Sequence, residues 1–142
     1  MTTDRLLAEL VAIDSVNPAL VPGGAGEAEI AAYVAGWLAE HGLEVTVDEP
    51  RPGRPSVVGV ARGTGGGRSL MLNAHLDTVT VEGMDRPHEP IVRDGRLYAR
   101  GAYDMKGGLA AIMAAGAAAA SDGLSGDVIV TAVADEEHSS EG

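Results

Sequence analysis

Five side chains in this sequence have the types and the spacing to do chemistry together: His75, Asp77, Asp104, Glu136 and Glu137. His75 and Asp77 fall at the end of the run LMLNAHLDT, Leu70 to Thr78. In an extended chain alternate side chains share a face, so imidazole and carboxylate point the same way. There the carboxylate can accept a hydrogen bond from one ring nitrogen and leave the other free for a metal. Asp104 lies in RGAYDMKGG, just before a helical run. It could cap that helix. It could also bridge two divalent ions held roughly 3.5–4 Å apart, and Gly101, Gly107 and Gly108 would permit close backbone approach around it. Glu136 and Glu137 follow Asp135 directly after the apolar DVIVTAVA. Neighbouring residues leaving a strand point in different directions, so one acid can hold a metal while the other faces a substrate water. Three adjacent acids are costly to gather without a cation. Each cluster also has a plainer reading: a surface pair, a helix cap and a solvated acidic turn. Together, hard oxygen donors and a histidine with no thiolate suit Zn²⁺, Mn²⁺ or Co²⁺ in a hydrolytic site. His41, His88 and His138 have no equally good context, although His138 adjoins the acids.

The elements that must hold these residues alternate between helix and strand. Leu6, Leu7, Leu10 and Val11 recur at helical spacing and predict a helix over 3–13, ended by Asn17-Pro18. Ile30, Val34, Trp37 and Leu38 predict a second over 27–41, stopped by Gly42, with Trp37 as core packing. Strands are expected over 43–48, 56–61, 69–74 and 127–134. The third is apolar on both faces and reads as an interior strand. GTGGG at 63–67 lacks the GK[ST] ending of a phosphate loop and reads as a hairpin turn. Asp94-Gly95 predicts a hairpin within 91–99, and the alanine-rich 105–120 a third helix. The pattern predicts an α/β fold with three α/β/α layers and a mixed sheet. Its polar clusters would lie beyond the carboxyl ends of the strands.

Composition narrows the function classes. The formal net charge of -11 disfavours nucleic acid and anionic membranes, which need clustered Lys and Arg. No run approaches the roughly 20 apolar residues of a membrane span, and the first residues do not read as a signal peptide. The absence of cysteine removes disulfides and thiolate ligands and fits a reducing cytoplasm.

NAHLDTV at 73–79, YARGAYDMKGG at 98–108 and ADEEHSSEG at 134–142 occur in the order seen in the M20 family of co-catalytic metallopeptidases, which the chain resembles. LVAIDSVNP at 10–18 resembles that family's N-terminal segment. The resemblance implies a zinc-peptidase-like catalytic domain. It implies hydrolysis of the amide bond of an N-acyl amino acid or short peptide by metal-activated water, with two divalent ions, Zn²⁺ first and Co²⁺ or Mn²⁺ as alternatives. Carried over by position, His75 would bind one metal, Asp104 would bridge both, and Glu137 would bind the second. Asp77 would orient His75, and Glu136 would be the general base.

The sequence departs from the family pattern at Tyr103, His138 and Ser139. It is also shorter than the resemblance implies for a whole enzyme. It reads as the N-terminal portion of the catalytic domain, truncated at the C-terminal side. On that reading the family's lid or dimerisation domain and C-terminal catalytic segment would be absent, which would leave two protein ligands per metal and little activity. The alternative expectation is a non-catalytic module that folds, binds metal weakly or not at all, and self-associates as a homo-oligomer through an uncovered edge.

Overall fold

The computed structural model of the protein describes residues 2–140 and 142. Two helices come first. In α1 (Thr3–Val11) the apolar stripe buries Leu6, Leu10 and Val11. In α2 (Ala28–Glu40) it buries Ile30, Ala31, Val34, Trp37 and Leu38. Gly42, at φ +87°, turns the chain out of α2 in the left-handed conformation that glycine adopts without a Cβ clash. Trp37 is buried in the core and stacks on His41, ring centroids 3.7 Å apart.

Strands β1 (Glu44–Asp48), β2 (Ser56–Ala61) and β3 (Leu70–His75) follow. Next come the short hairpin β4 (Ile91–Arg93) and β5 (Arg96–Tyr98), then α3 (Gly107–Asp122) and β6 (Val128–Val133). The hairpin turns at Asp94 and Gly95, both at positive φ, as the Asp-Gly pair predicts. The main sheet has the order β1-β2-β6-β3 and is mixed. The β1–β2 and β2–β6 pairs are antiparallel, and β3–β6 is parallel.

Register decides which face is the core. Val57, Gly59 and Ala61 of β2 stand beside Ala132, Val130 and Val128 of β6. A Cβ on Gly59 would lie 2.9 Å from Leu38 of α2, and one on Gly116 of α3 would lie 2.7 Å from Val130. Both helices therefore press on this one face, and glycine lets them come close. Helix α1 packs on α3 behind it. Val58, Val60, Ile129 and Val133 line the other face and are only half-buried. The mixed sheet with helices against it is the expected architecture; of the three expected layers, the described residues show the sheet and helices on one of its faces.

Three local expectations change. Strand 69–74 is not interior: β3 is an edge of the sheet, with Leu70 54% and Met71 61% exposed. An apolar run on both faces reports what the strand is suited to meet, and among the described residues only β6 pairs with it. The GTGGG stretch is not a hairpin turn either, because β6 lies between β2 and β3. The loop crosses the end of β6 and hydrogen-bonds to Leu124 and Ser125. A Cβ at Gly63 would sit 2.5 Å from the Gly126 backbone, so two glycine-rich loops touch main chain to main chain. Finally, α3 begins at Gly107, preceded by a wide turn over Ala102–Lys106.

Candidate metal centre

Parallel pairing of β3 with β6 brings two of the three clusters to one end of the sheet. His75 is in register with Val133, and the Leu76 N–H bonds the Val133 carbonyl at 2.8 Å. Beyond that point the chain carries Asp77 on one side and Asp135 to Glu137 on the other. The third cluster arrives with the turn Ala102–Lys106, which packs on β3 and α1. The convergence lies at the carboxyl ends of β3 and β6, the usual place for a site in an α/β sheet.

The His75 side chain is 5% exposed. Its Nδ1–H donates to the Asp77 main-chain carbonyl at 2.9 Å, while the Asp77 carboxylate lies farther off at 3.5 Å. This fixes the ring and turns Nε2 outward, where Asp104 Oδ1 is 3.1 Å away and Glu136 Oε2 3.7 Å. One ligand atom each from His75, Asp104 and Glu137 all fall within 4.8 Å of one another. Asp104 makes no side-chain cap on α3; its carboxylate reaches toward His75 instead.

The Asp77 carboxylate does something the spacing did not reveal. Its Oδ1 accepts the Glu136 N–H and its Oδ2 the Glu137 N–H, both at 3.0 Å. Oδ2 also accepts from Asn17 Nδ2 at 2.7 Å. One buried carboxylate thus ties the histidine strand to the acidic turn. Asn17 was legible in the sequence only as a helix stop. Arg54, in the PRPGRP stretch that reads as an exposed turn, is largely buried against Glu27 and Asp135. A lone asparagine, glutamate and arginine far apart in sequence carry no local signal of meeting.

Protonation follows from this crowding. Burial disfavours the His75 cation, but Asp77 and Asp104 outweigh it and raise the imidazole to about 9. Burial opposes ionisation of Asp77 too, yet His75, Asn17 and the two backbone N–H groups hold its carboxyl below the usual range. Burial, followed by the charges of Asp104, Asp77 and Glu136, pushes the Glu137 carboxyl up. A carboxyl raised by its neighbours marks a gathering of negative charge that a cation would relieve. One imidazole nitrogen and two carboxylates are a donor set that fits a divalent ion.

The remaining histidines lie outside this cluster. His41 Nδ1–H donates to the Trp37 carbonyl, and His88 sits 3.5 Å from Asp14. His138 turns to Ser139 and Asp135. Tyr103, one of the departures from the family pattern, is 99% exposed.

Residues 71–142 match the model of peptidase family M20/M25/M40, and the chain belongs to this family. Among curated proteins it is 39% identical over 116 residues to N-formyl-4-amino-5-aminomethyl-2-methylpyrimidine deformylase of Bacillus subtilis, covering 76% of this chain and 27% of that protein. Among solved structures it resembles an M20 family metallo-carboxypeptidase from Sulfolobus solfataricus, with a TM-score of 0.81 at 24% identity. That match covers 96% of this chain and 32% of the other. It also resembles a dinuclear metal-binding M20 peptidase from Bacillus subtilis, with a TM-score of 0.67 at 20% identity, over 95% of this chain and 35% of the other. These structural matches establish the fold. The chain spans about a third or less of the length of the first relatives it matches.

Proposed function

We propose that these residues form part of a dinuclear metal centre that hydrolyses the amide bond of an N-acyl amino acid or short peptide. The observation that carries this reading is the meeting of His75 Nε2 with the Asp104 and Glu137 carboxylates, with Glu136 beside them. His75 would hold one ion and Glu137 the other, with Asp104 between them. Zn²⁺ is the first choice, and Co²⁺ and Mn²⁺ suit the same donors. Bound there, divalent ions lower the pKa of water and polarise a carbonyl. Glu136, half-exposed beside His75, would accept the water's proton and return it to the leaving amine. Asp77 would keep the His75 strand and the acidic turn in register. The 142 residues would be the N-terminal portion of the catalytic domain, with further ligands coming from elsewhere in a longer chain. No helix among the described residues is long and apolar enough to cross a membrane. A reducing cytoplasm suits a chain without cysteine, and a net charge of -11 argues against nucleic acid as a partner.

The test compares the full-length gene product with this chain, each loaded with Zn²⁺, Co²⁺ or Mn²⁺. Substrates should be N-acyl amino acids, dipeptides and an N-formyl amine, the last suggested by the deformylase relative. Turnover is expected from the full-length protein and little from this chain. A full-length, fully metallated protein that hydrolyses none of them overturns the substrate class.

A second reading is favoured by the sheet itself. The β3 edge exposes Leu70 and Met71, and the half-buried Val58, Val60, Ile129 and Val133 lie on the face without helices. Such a surface favours self-association of a non-catalytic module. Sedimentation over a range of concentrations should then show association that Met71→Lys weakens. A monomer at high concentration counts against it.

A further inference from the structure

We propose that Asn17 is a positioning residue that holds the Glu136–Glu137 turn against His75 and Asp104, backed by Arg54 and Glu27 acting through Asp135. The inference rests on the metal-hydrolase reading for its consequence, but its geometry stands apart from any ion. Both Asn17 Nδ2 hydrogens are used. One goes to Asp77 Oδ2 at 2.7 Å and the other to Asp135 Oδ1 at 2.9 Å. Those carboxylates come from different elements, one after β3 and one after β6, and Asn17 bridges them with no exposure to solvent.

Asn17 is itself held on all sides. Its N–H donates to the Thr78 carbonyl at 2.9 Å, beside a parallel bridge between Val16 and Thr78. Its side-chain Oδ1 accepts the Ala19 N–H at 2.8 Å. The amide therefore has one orientation: oxygen toward its own turn, nitrogen toward the two acids.

Asp135 needs such support. It is 2% exposed and sits at φ +60°, a left-handed conformation that aspartate tolerates better than most residues and that its buried partners fix here. Arg54 Nη2 donates to the same Asp135 Oδ1 at 2.7 Å. Arg54 also grips the fully buried Glu27 in a two-point fork, at 2.6 and 2.8 Å. Glu27 in turn accepts the Asp135 N–H at 3.2 Å, and Ser139 caps the other Asp135 oxygen at 2.7 Å. The left-handed residue sets the direction of the chain just before Glu136 and Glu137. Asp77, pinned by Asn17, receives their two N–H groups. The turn is thus clamped both upstream at Asp135 and on its own amides. A cluster gathered on a flexible turn would need ordering on each binding event, and a clamped one is ready in advance.

The deciding variant is Asn17→Asp. It keeps the shape and the oxygen that accepts from Ala19, but it removes both donated hydrogens and puts a third carboxylate between two others. A purely local role for Asn17, in its own turn, predicts little change. The positioning role predicts that amide hydrogen exchange at Glu136 and Glu137 speeds up about tenfold or more, while core amides such as Val130 keep their protection. This readout needs no metal. Arg54→Gln provides a second route if Asn17→Asp does not fold, and should loosen the same two amides. Co²⁺ titration followed by its visible absorption should show affinity falling about 10- to 100-fold in either variant. Unchanged exchange at Glu136 and Glu137 in a folded Asn17→Asp or Arg54→Gln protein overturns the proposal. Failure of the full-length protein to bind Co²⁺ would instead overturn the metal reading, with the exchange rates still deciding the role of Asn17.

Discussion

The Asp77 carboxylate receives the backbone N–H of Glu137 at 3.0 Å, across 60 residues of sequence. A residue that reads as the partner of a histidine is thereby also the template for the acidic turn. Asp77→Asn should show this double role. An amide in that place would turn an N–H₂ toward backbone N–H groups that need an acceptor. Metal affinity is expected to fall about 10- to 100-fold. Amide exchange should quicken at Glu136 and Glu137 as well. Loss of affinity with exchange unchanged would confine Asp77 to orienting His75.

Glu136 and Glu137 should separate chemistry from binding in the complete enzyme. Glu136→Gln keeps nearly the same shape but cannot take a proton. Turnover should drop by about 10²–10⁴-fold with metal content unchanged. Glu137→Gln should lose or weaken one metal first, and activity with it. Metal analysis beside rates on both proteins checks this. Metal lost from Glu136→Gln and retained in Glu137→Gln would reverse the roles.

Metal binding should depend on pH through His75. The imidazole, raised to about 9 by Asp77 and Asp104 against the opposing effect of burial, carries a proton at neutral pH in the metal-free protein. A cation must displace that proton. Apparent Co²⁺ affinity should therefore rise about tenfold per pH unit from 6.5 toward 8.5. The same raised group stabilises the metal-free fold fully below about 6.5, and this contribution fades as pH climbs through 9. Calorimetric titration in buffers of different ionisation heat should detect the released proton. An affinity flat over that range would mean His75 is not a ligand.

Lys106 offers an independent check on the fold. Its side chain is buried, Nζ donates to the Ile13 carbonyl at 2.6 Å, and burial lowers it to about 8 despite the charge of Asp14. The unfolded chain holds that proton up to about 10.5, so between 8 and 10.5 unfolding takes up a proton and rising pH favours the fold. Keeping the charge buried at neutral pH costs about 3 kcal/mol. The stability difference between Lys106→Met and the parent should thus shift by about that much toward the parent across this range. Taking the difference between the two proteins cancels the opposite trend from His75. Denaturant unfolding at pH 7, 9 and 10 measures it, and a constant difference would show that folding does not lower Lys106 at all.

Local pattern and tertiary contact divide this protein cleanly. The helical stripes of α1 and α2, the Asp-Gly hairpin and the interior strand β6 follow from periodicity and turn chemistry, which act over a few residues. The same local signals place His75 and Asp77 at the end of one strand and Glu136 and Glu137 after another. What they could not supply was adjacency. Whether β3 is interior depends on what lies beside it, and the apolar LMLN is the same residues in either case. The GTGGG loop looked like a hairpin because nothing in it reveals that β6, more than 60 residues on, comes between its two strands. The buried set of Asn17, Glu27, Arg54, Asp77 and Asp135 draws on five separate parts of the chain. Each member alone suits a turn, a helix start or an exposed loop. Only the parallel pairing of β3 with β6 brings the two acidic strand ends together, and only then does burial make an asparagine between two carboxylates worth having. Hydrogen bonds so distant in sequence leave no periodic trace, because their geometry is set by packing and not by the chain's own repeat.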